Sequence, residues 1–177
     1  MKLHNKTNPD DYPNQYIEFD RKDTFSLDGT LAPIIVAGLK KFLEVLRDPD
    51  SVGGCPASFM PDGIPDYQTD PEVFESALTG ACTAWQETIE EMIFGFECDV
   101  EEEPWNEYAD AYVAYLRSSM NFEEVCSENH SGSLSSVFNI DKNKPVYVNY
   151  YAKAKELQER KDKGRALFVK YFDNLWW

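Results

Sequence analysis

Carboxylates crowd one stretch of the chain: Glu87, Glu90, Glu91, Glu97 and Asp99. Carboxylates converging on Mg²⁺ are what an all-α nucleotide hydrolase needs, because a hard cation takes oxygen ligands and polarises a phosphoryl group. At about 100° per residue, Glu87 and Glu91 fall opposite the apolar stripe of Trp85, Ile89, Met92, Ile93 and Phe96 and are expected in solvent. Glu90 and Glu97, seven positions apart, share the flank of that stripe and are the better ligand candidates. No second EExxE-like or ExxxD pairing accompanies them in the expected arrangement, so the competing expectation is a solvated face with a local ion pair. Asp23 and Asp28 flank Ser26 in DTFSLD. Their side-chain oxygens accept readily from free N–H groups at a helix start, and a cap explains the motif. The alternative gathers Asp23, Asp28 and Glu97 around a polar pocket between the first two helices. Burial there would raise their pKa values and permit acid–base work.

The other end of the chain suggests different chemistry. Formal net charge is −15, a pattern that disfavours general phosphate binding and makes nucleic acid an improbable ligand. Yet residues 1–140 carry 8 basic and 27 acidic side chains, whereas 141–177 carry 9 and 5. Lys153, Lys155, Arg160, Lys163 and Arg165 would face the phosphates of a nucleotide, with Tyr147, Tyr150 or Tyr151 stacked on its base. The plainer expectation is a basic terminal helix beside an acidic body. The acidic part has its densest run at Glu97 to Glu107, and Glu101, Glu102 and Glu103 would be exposed. Such a surface can substitute for DNA phosphates before a basic protein, although acidity also serves solubility alone. Trp176 and Trp177 would anchor a protein partner or close the chain's own core.

Other reaction chemistry finds no support. His4 and His130 belong to no nucleophile motif with a Cys, Asp or Ser. Cys55, Cys82, Cys98 and Cys126 form no CxxC or CxH half-site for zinc and are expected as free thiols of a reducing compartment. GGCPASF at 53–59 is a loop, and neither a Walker loop nor a dinucleotide glycine fingerprint occurs. No cofactor is implied, and no feature names a reaction. The longest apolar stretch, Leu31 to Leu39, is too short for a bilayer, and Lys2 and Lys6 precede no apolar run of the secretory kind. A cytoplasmic protein without membrane contact is expected.

The elements that must position these residues are mainly helical. The 177 residues, 42% hydrophobic and 14% aromatic, predict a single α domain with an irregular bundle of four or five helices joined by long loops. Residues 1–22 read as an extended arm. Apolar positions Ile34, Ile35, Leu39, Phe42, Leu43 and Leu46 predict a helix over 31–47, with Ser26 or Asp28 as its cap and Pro33 in its first turn. Breakers make 48–69 a long connection, and loops of this length often bear function. Asp70, Pro71 and Glu72 read as cap, first-turn proline and first-turn acid of a second core helix reaching about 97, which Gly80 would interrupt. A third helix covers 105–118, with Pro104 in its first turn. Residues 127–145 form a second long loop or a short hairpin. Val146, Tyr147 and Val148 have strand character without an evident partner, and the chain turns helical from Asn149, with a last core helix over 164–175. Strand content is expected below roughly a tenth.

Three blocks share a likeness: DTFSLDGTLA at 23–32, WQETIEEMIFGFE at 85–97 and GRALFVKYFDNLWW at 164–177. Together they resemble a family of small bacteriophage proteins in which a DTWSLD-like entry, a W…MIWAFE-like helix and a closing GLxLFxKYFxxLW-like helix occur in this order. Phe25 and Phe94 stand where the family usually has Trp, and Gly95 where it has Ala. The resemblance implies a viral origin, an infected host cell as setting and an α-helical fold. It brings no chemistry with it.

Overall fold

The structure, a computed structural model, describes residues 2–6, 14–18, 21, 27–48, 50, 54–97, 105–120 and 140–175. It is mainly α, with four α-helices among the described residues. Its contacts gather into two compact units, one of residues 1–98 and 163–177 and one of residues 99–162. None of the described helices is long and apolar enough to cross a membrane.

The N-terminal segment is extended, but it pairs with itself. Strands β1 (Lys2–Lys6) and β2 (Asn14–Glu18) form an antiparallel two-stranded sheet with Leu3 opposite Ile17 and His4 opposite Tyr16. Ladder hydrogen bonds satisfy backbone groups that a lone arm would leave to water.

Helix α1 spans Leu27–Arg47 and so begins four residues before the expected start. Pro33 therefore lies inside the helix rather than in its first turn. There its missing N–H deletes one backbone bond instead of replacing an orphan donor. Ala32 shares the face of Leu39 and Leu43, all buried, because steps of seven and four return to one side of a helix. Helix α2 spans Pro71–Phe96; the Asp70 side chain accepts from Val73 N at 3.2 Å, with Pro71 in the first turn. Gly80 does not interrupt it.

Leu39, Leu43, Trp85, Ile89, Met92 and Ile93 form the core of the first unit. Trp85, Ile89 and Met92 are 0–1% exposed, so this helix crossing excludes water completely. The connection before α2 contributes to that core. Phe59, in a 3₁₀ turn over Ala57–Phe59, places its ring 5.3 Å from those of both Trp85 and Tyr171. A segment expected as a functional loop thus supplies packing.

Helix α3 spans Trp105–Ser118, as its spacing predicts. Helix α4 spans Pro145–Tyr171, followed by a 3₁₀ turn over Phe172–Asn174. Val146, Tyr147 and Val148 are thus helical, four residues ahead of the expected start. Strand propensity expresses packing on a pleated neighbour, whereas Pro145 supplies a preset φ for a helix start. Within the first unit the end of α4 meets α2 through two glycines. A Cβ on Gly95 would stand 2.7 Å from Arg165 N and 2.8 Å from the Gly164 carbonyl carbon. The two backbones touch where only hydrogen atoms fit.

Candidate functional site

The seven-residue interval of Glu90 and Glu97 has an equal on α1. Lys40 Nζ donates to Glu97 Oε1 at 2.7 Å, and Arg47 pairs with Glu90. Lys40 and Arg47 are themselves seven apart. Their crossed pairing, the earlier cation with the later acid, shows that α1 and α2 run antiparallel. Two ion pairs clip the flank of the apolar seam at positions two helical turns apart. Glu90 and Glu97 are therefore held separately, each against a cation, rather than converging. No group of three or more His, Cys, Asp or Glu side chains suited to a metal occurs among the described residues. Asp28 lies exposed in the first turn of α1, where a carboxylate favours the positive end of the helix macrodipole. Asp23 and Ser26 lie outside the described residues, as do Glu101, Glu102, Glu103, Trp176, Trp177, Cys98, Cys126, Pro104 and His130. So does most of the loop expected over 127–145, residues 127–139.

The basic residues of α4 do not form one patch. In the second unit, Lys153 is only 15% exposed and donates to Glu156 at 2.9 Å. Lys155 sits 3.7 Å from Glu159. At about 100° per residue, Lys155 points away from the side shared by Lys153 and Arg160. In the first unit, Arg165 Nε donates to the Gly95 carbonyl at 2.9 Å, serving the glycine crossing. Lys163 is exposed and lies two positions from Arg165, more than half a turn around the helix.

The residues that do converge are aromatic and belong to the second unit. Trp105 and Tyr112 stand seven apart on α3, about 10 Å along its axis. The Tyr150 ring of α4 stacks on both, with centroids 5.2 Å from Trp105 and 4.1 Å from Tyr112, so it sits between them. Both faces of Tyr150 are taken, and it cannot stack on a base as expected. Tyr151 meets Tyr112 and Tyr150 edge-on at 5.7 and 5.2 Å and Tyr147 at 4.4 Å. Tyr112 Oη and Tyr151 Oη lie 3.4 Å apart. Hydrogen bonds from Tyr112 and Tyr147, with the nearby charge of Lys142, hold the Tyr151 phenol below its ordinary pKa. The hydrogen bond with Tyr151 and then burial push Tyr112 up; burial first, then the bond to Tyr151, pushes Tyr147 up. Tyr151 thus ionises more readily than its two neighbours. Tyr115 is buried and ties the turn before α4: Asp141 N donates to its Oη at 2.7 Å, and the hydroxyl donates to the Asp141 carbonyl at 3.2 Å.

The sequence carries a trace of this cluster. Tyr108, Tyr112 and Tyr115 are spaced four and three apart, and Tyr150 and Tyr151 follow Tyr147 at three and four. Read helix by helix they look like two apolar stripes, and what is missing is the register that brings them face to face. Among the thiols, Cys55 is pushed up to about 11, chiefly by burial and then by the adjacent Cys82. Cys55 therefore stays protonated at neutral pH. Compared with protein-family models, curated proteins and solved structures, the chain matches none.

Proposed function

We propose that the chain is a phage-encoded acidic protein that acts in the cytoplasm of an infected host by binding a host or phage protein, presenting carboxylates in place of DNA phosphates. The observation that carries this reading is one of charge. From Asp48 to Leu116 the sequence has 17 Asp and Glu side chains and no Lys, Arg or His. Asp62, Asp66, Glu72, Glu75 and Glu87 are exposed within that run. α2 contains no basic residue, and Arg47 and Arg165, which meet it, and Lys40, which meets its C-cap Glu97, come from other helices. A surface of one sign steers a partner of the other sign and suppresses encounters with nucleic acid.

The partner chemistry that fits is a basic DNA-binding protein. Pull-down from infected cells with the full chain should recover such a protein at low salt and lose it at high salt, because the contacts are charge pairs screened by ions. Reversal of Glu101, Glu102 and Glu103 to Lys should weaken capture while the circular dichroism spectrum stays helical. Capture indifferent to salt and to the triple reversal, or no captured protein, overturns the reading. Dispersal of the α4 cations and occupation of both Tyr150 faces leave a nucleotide trap with less support.

A further inference from the structure

The apolar stripe of α2 outruns the core that covers it. Val73, Phe74, Ala77, Leu78 and Ala81 lie within about 160° of one another and of Trp85, Ile89 and Met92, at about 100° per residue, so one face continues along the helix. Along that face burial falls toward the N-terminus: Trp85 is 1% exposed, Ala81 4%, Leu78 37% and Val73 43%. The cause is the length of α1. It ends at Arg47, which pairs with Glu90, whereas α2 begins at Pro71, nineteen residues ahead of Glu90. That interval is about 28 Å along the axis, so the first turns of α2 lie beyond the end of α1. An added Cβ on Gly80 would meet nothing within 4 Å there. Tyr67, in the turn before α2, sets its ring edge-on to Phe74 at 6.0 Å and widens the open face.

Charge decides what fits this face. Asp66, Glu72 and Glu75 are exposed in the turn before α2 and in its first turns, within the run from Asp48 to Leu116 that has no Lys, Arg or His. A second copy of the chain would set the same carboxylates against these, and an anionic lipid surface would be repelled in the same way. We propose that the N-terminal turns of α2 are a docking face for a basic amphipathic helix of a partner protein. The apolar side of that helix covers Val73, Phe74, Ala77 and Leu78, extending over them the kind of helix contact that α1 makes further along, and its Lys and Arg side chains meet the carboxylates. The inference rests on the reading of the chain as an acidic binding protein and adds to it where the partner docks and what the partner brings. Carboxylates alone steer the encounter and weaken with salt, whereas apolar side chains removed from water on docking hold the complex once formed.

The test is fluorescence anisotropy of two labelled synthetic peptides titrated with the full chain. One is a Leu–Lys helix with Leu at i, i+3, i+4 and i+7; the other has the same composition scrambled, so that its charge is equal and its apolar face is lost. The ordered peptide should bind several-fold more tightly than the scrambled one. The double variant Val73→Ser, Leu78→Ser should bring it down to the scrambled level. Both positions are partly exposed, so circular dichroism should stay helical. Val169→Ser is the control: Val169 is 75% exposed but lies beside Lys170, away from the acidic run, and its loss should leave binding unchanged. Equal, salt-sensitive binding of both peptides overturns the docking face while the acidic reading stands; binding of neither at low salt removes both. An ordered peptide unaffected by the double variant, or weakened as much by Val169→Ser, also overturns the docking face. So does a dimer in analytical ultracentrifugation that the double variant abolishes, since the face then belongs to a second copy.

Discussion

The two units are held together by different means. In the first, Trp85, Ile89 and Met92 lose all contact with water where α1 and α2 cross. The end of α4 adds Leu167, Phe168 and Tyr171 at the edge of that core. In the second, the buried hydrophobic residues among those described are Tyr115 and Leu157, and the described ring contacts between α3 and α4 are stacked and edge-on pairs that keep their hydroxyls. Burial of hydrocarbon is non-directional and scales with area, whereas ring contacts and phenolic hydrogen bonds depend on geometry and contribute about 0.5–1.5 kcal/mol each. One unit is built for stability and the other keeps polar atoms near its surface.

Truncating the anchor of each unit should expose this difference most strongly. Trp85→Ala should cost about 3–5 kcal/mol, the usual range for an aromatic residue removed from a closed core. Tyr115→Phe keeps its ring but strands the Asp141 N–H, and should cost about 1–2 kcal/mol. Urea denaturation followed by circular dichroism measures both. A Tyr115→Phe loss equal to that of Trp85→Ala would mean that the second unit also depends on a closed core.

Glycines provide the next contrast. Gly164→Ala would drive a methyl group against the Glu91 carbonyl and to within 2.9 Å of Gly95 Cα. Neither is the flexible end of a side chain, so the helices must separate, at a cost of roughly 3 kcal/mol. Gly80, in the middle of α2, has nothing within 4 Å of an added Cβ. Gly80→Ala should therefore stabilise by about 0.5–1 kcal/mol through helix propensity and a less free unfolded chain. Losses of similar size from both alanines would show that propensity rather than contact governs these positions. Gly95 lies at this same closest approach.

How far the sequence disclosed these features depended on whether their cause was local. α2 was legible because Asp70, Pro71 and Glu72 mark its start and the stripe from Trp85 to Phe96 fixes its buried face. Its interior glycine was a false alarm, since one weak residue costs less than the packing of a long apolar face contributes. The starts of α1 and α4 lie ahead of the positions their local signals mark: Pro33 is accommodated inside α1, and Pro145 opens α4 before the β-formers Val146 to Val148. Glu90 and Glu97 could be placed on the flank of a helix, but not matched to Arg47 and Lys40. That match needs the antiparallel register of α1 and α2. The tyrosine cluster was hidden most completely, because Tyr112 and Tyr151 are 39 positions apart and each reads as ordinary core on its own helix.

The crossed ion pairs should contribute little despite their symmetry. Arg47, Glu90 and Lys40 keep half or more of their side-chain surface in water, and exposed pairs typically yield under about 1 kcal/mol. Double-mutant cycles on Lys40 with Glu97 and on Arg47 with Glu90 should give coupling in that range and shrink as salt is added. Glu97, the less exposed acid, should carry the larger coupling. Coupling well above that range would make α1 and α2 an electrostatic seam rather than an apolar one.

The smallest effect separates the units by pH. Asp66 Oδ1 accepts from Thr69 N at 2.8 Å and from Thr69 Oγ1 at 2.7 Å, closing the turn that leads into Asp70 and α2. These bonds favour the carboxylate and hold Asp66 below the ordinary pKa of an aspartate. Since the folded pKa is the depressed one, the stabilisation is fully present above the unfolded value. It disappears as acidification carries the pH through the folded one. Thr69→Val removes the hydroxyl donor and keeps the backbone one. It should lower the urea midpoint slightly at pH 6, and the gap from wild type should close as pH falls below the ordinary carboxylate range. A gap of constant size across that range would assign the effect to packing of the valine instead of the charge. Tyr151 titrates in the opposite, alkaline direction in the second unit, so an acid-side change confined to the Asp66 turn would attach each end of the pH scale to a different unit.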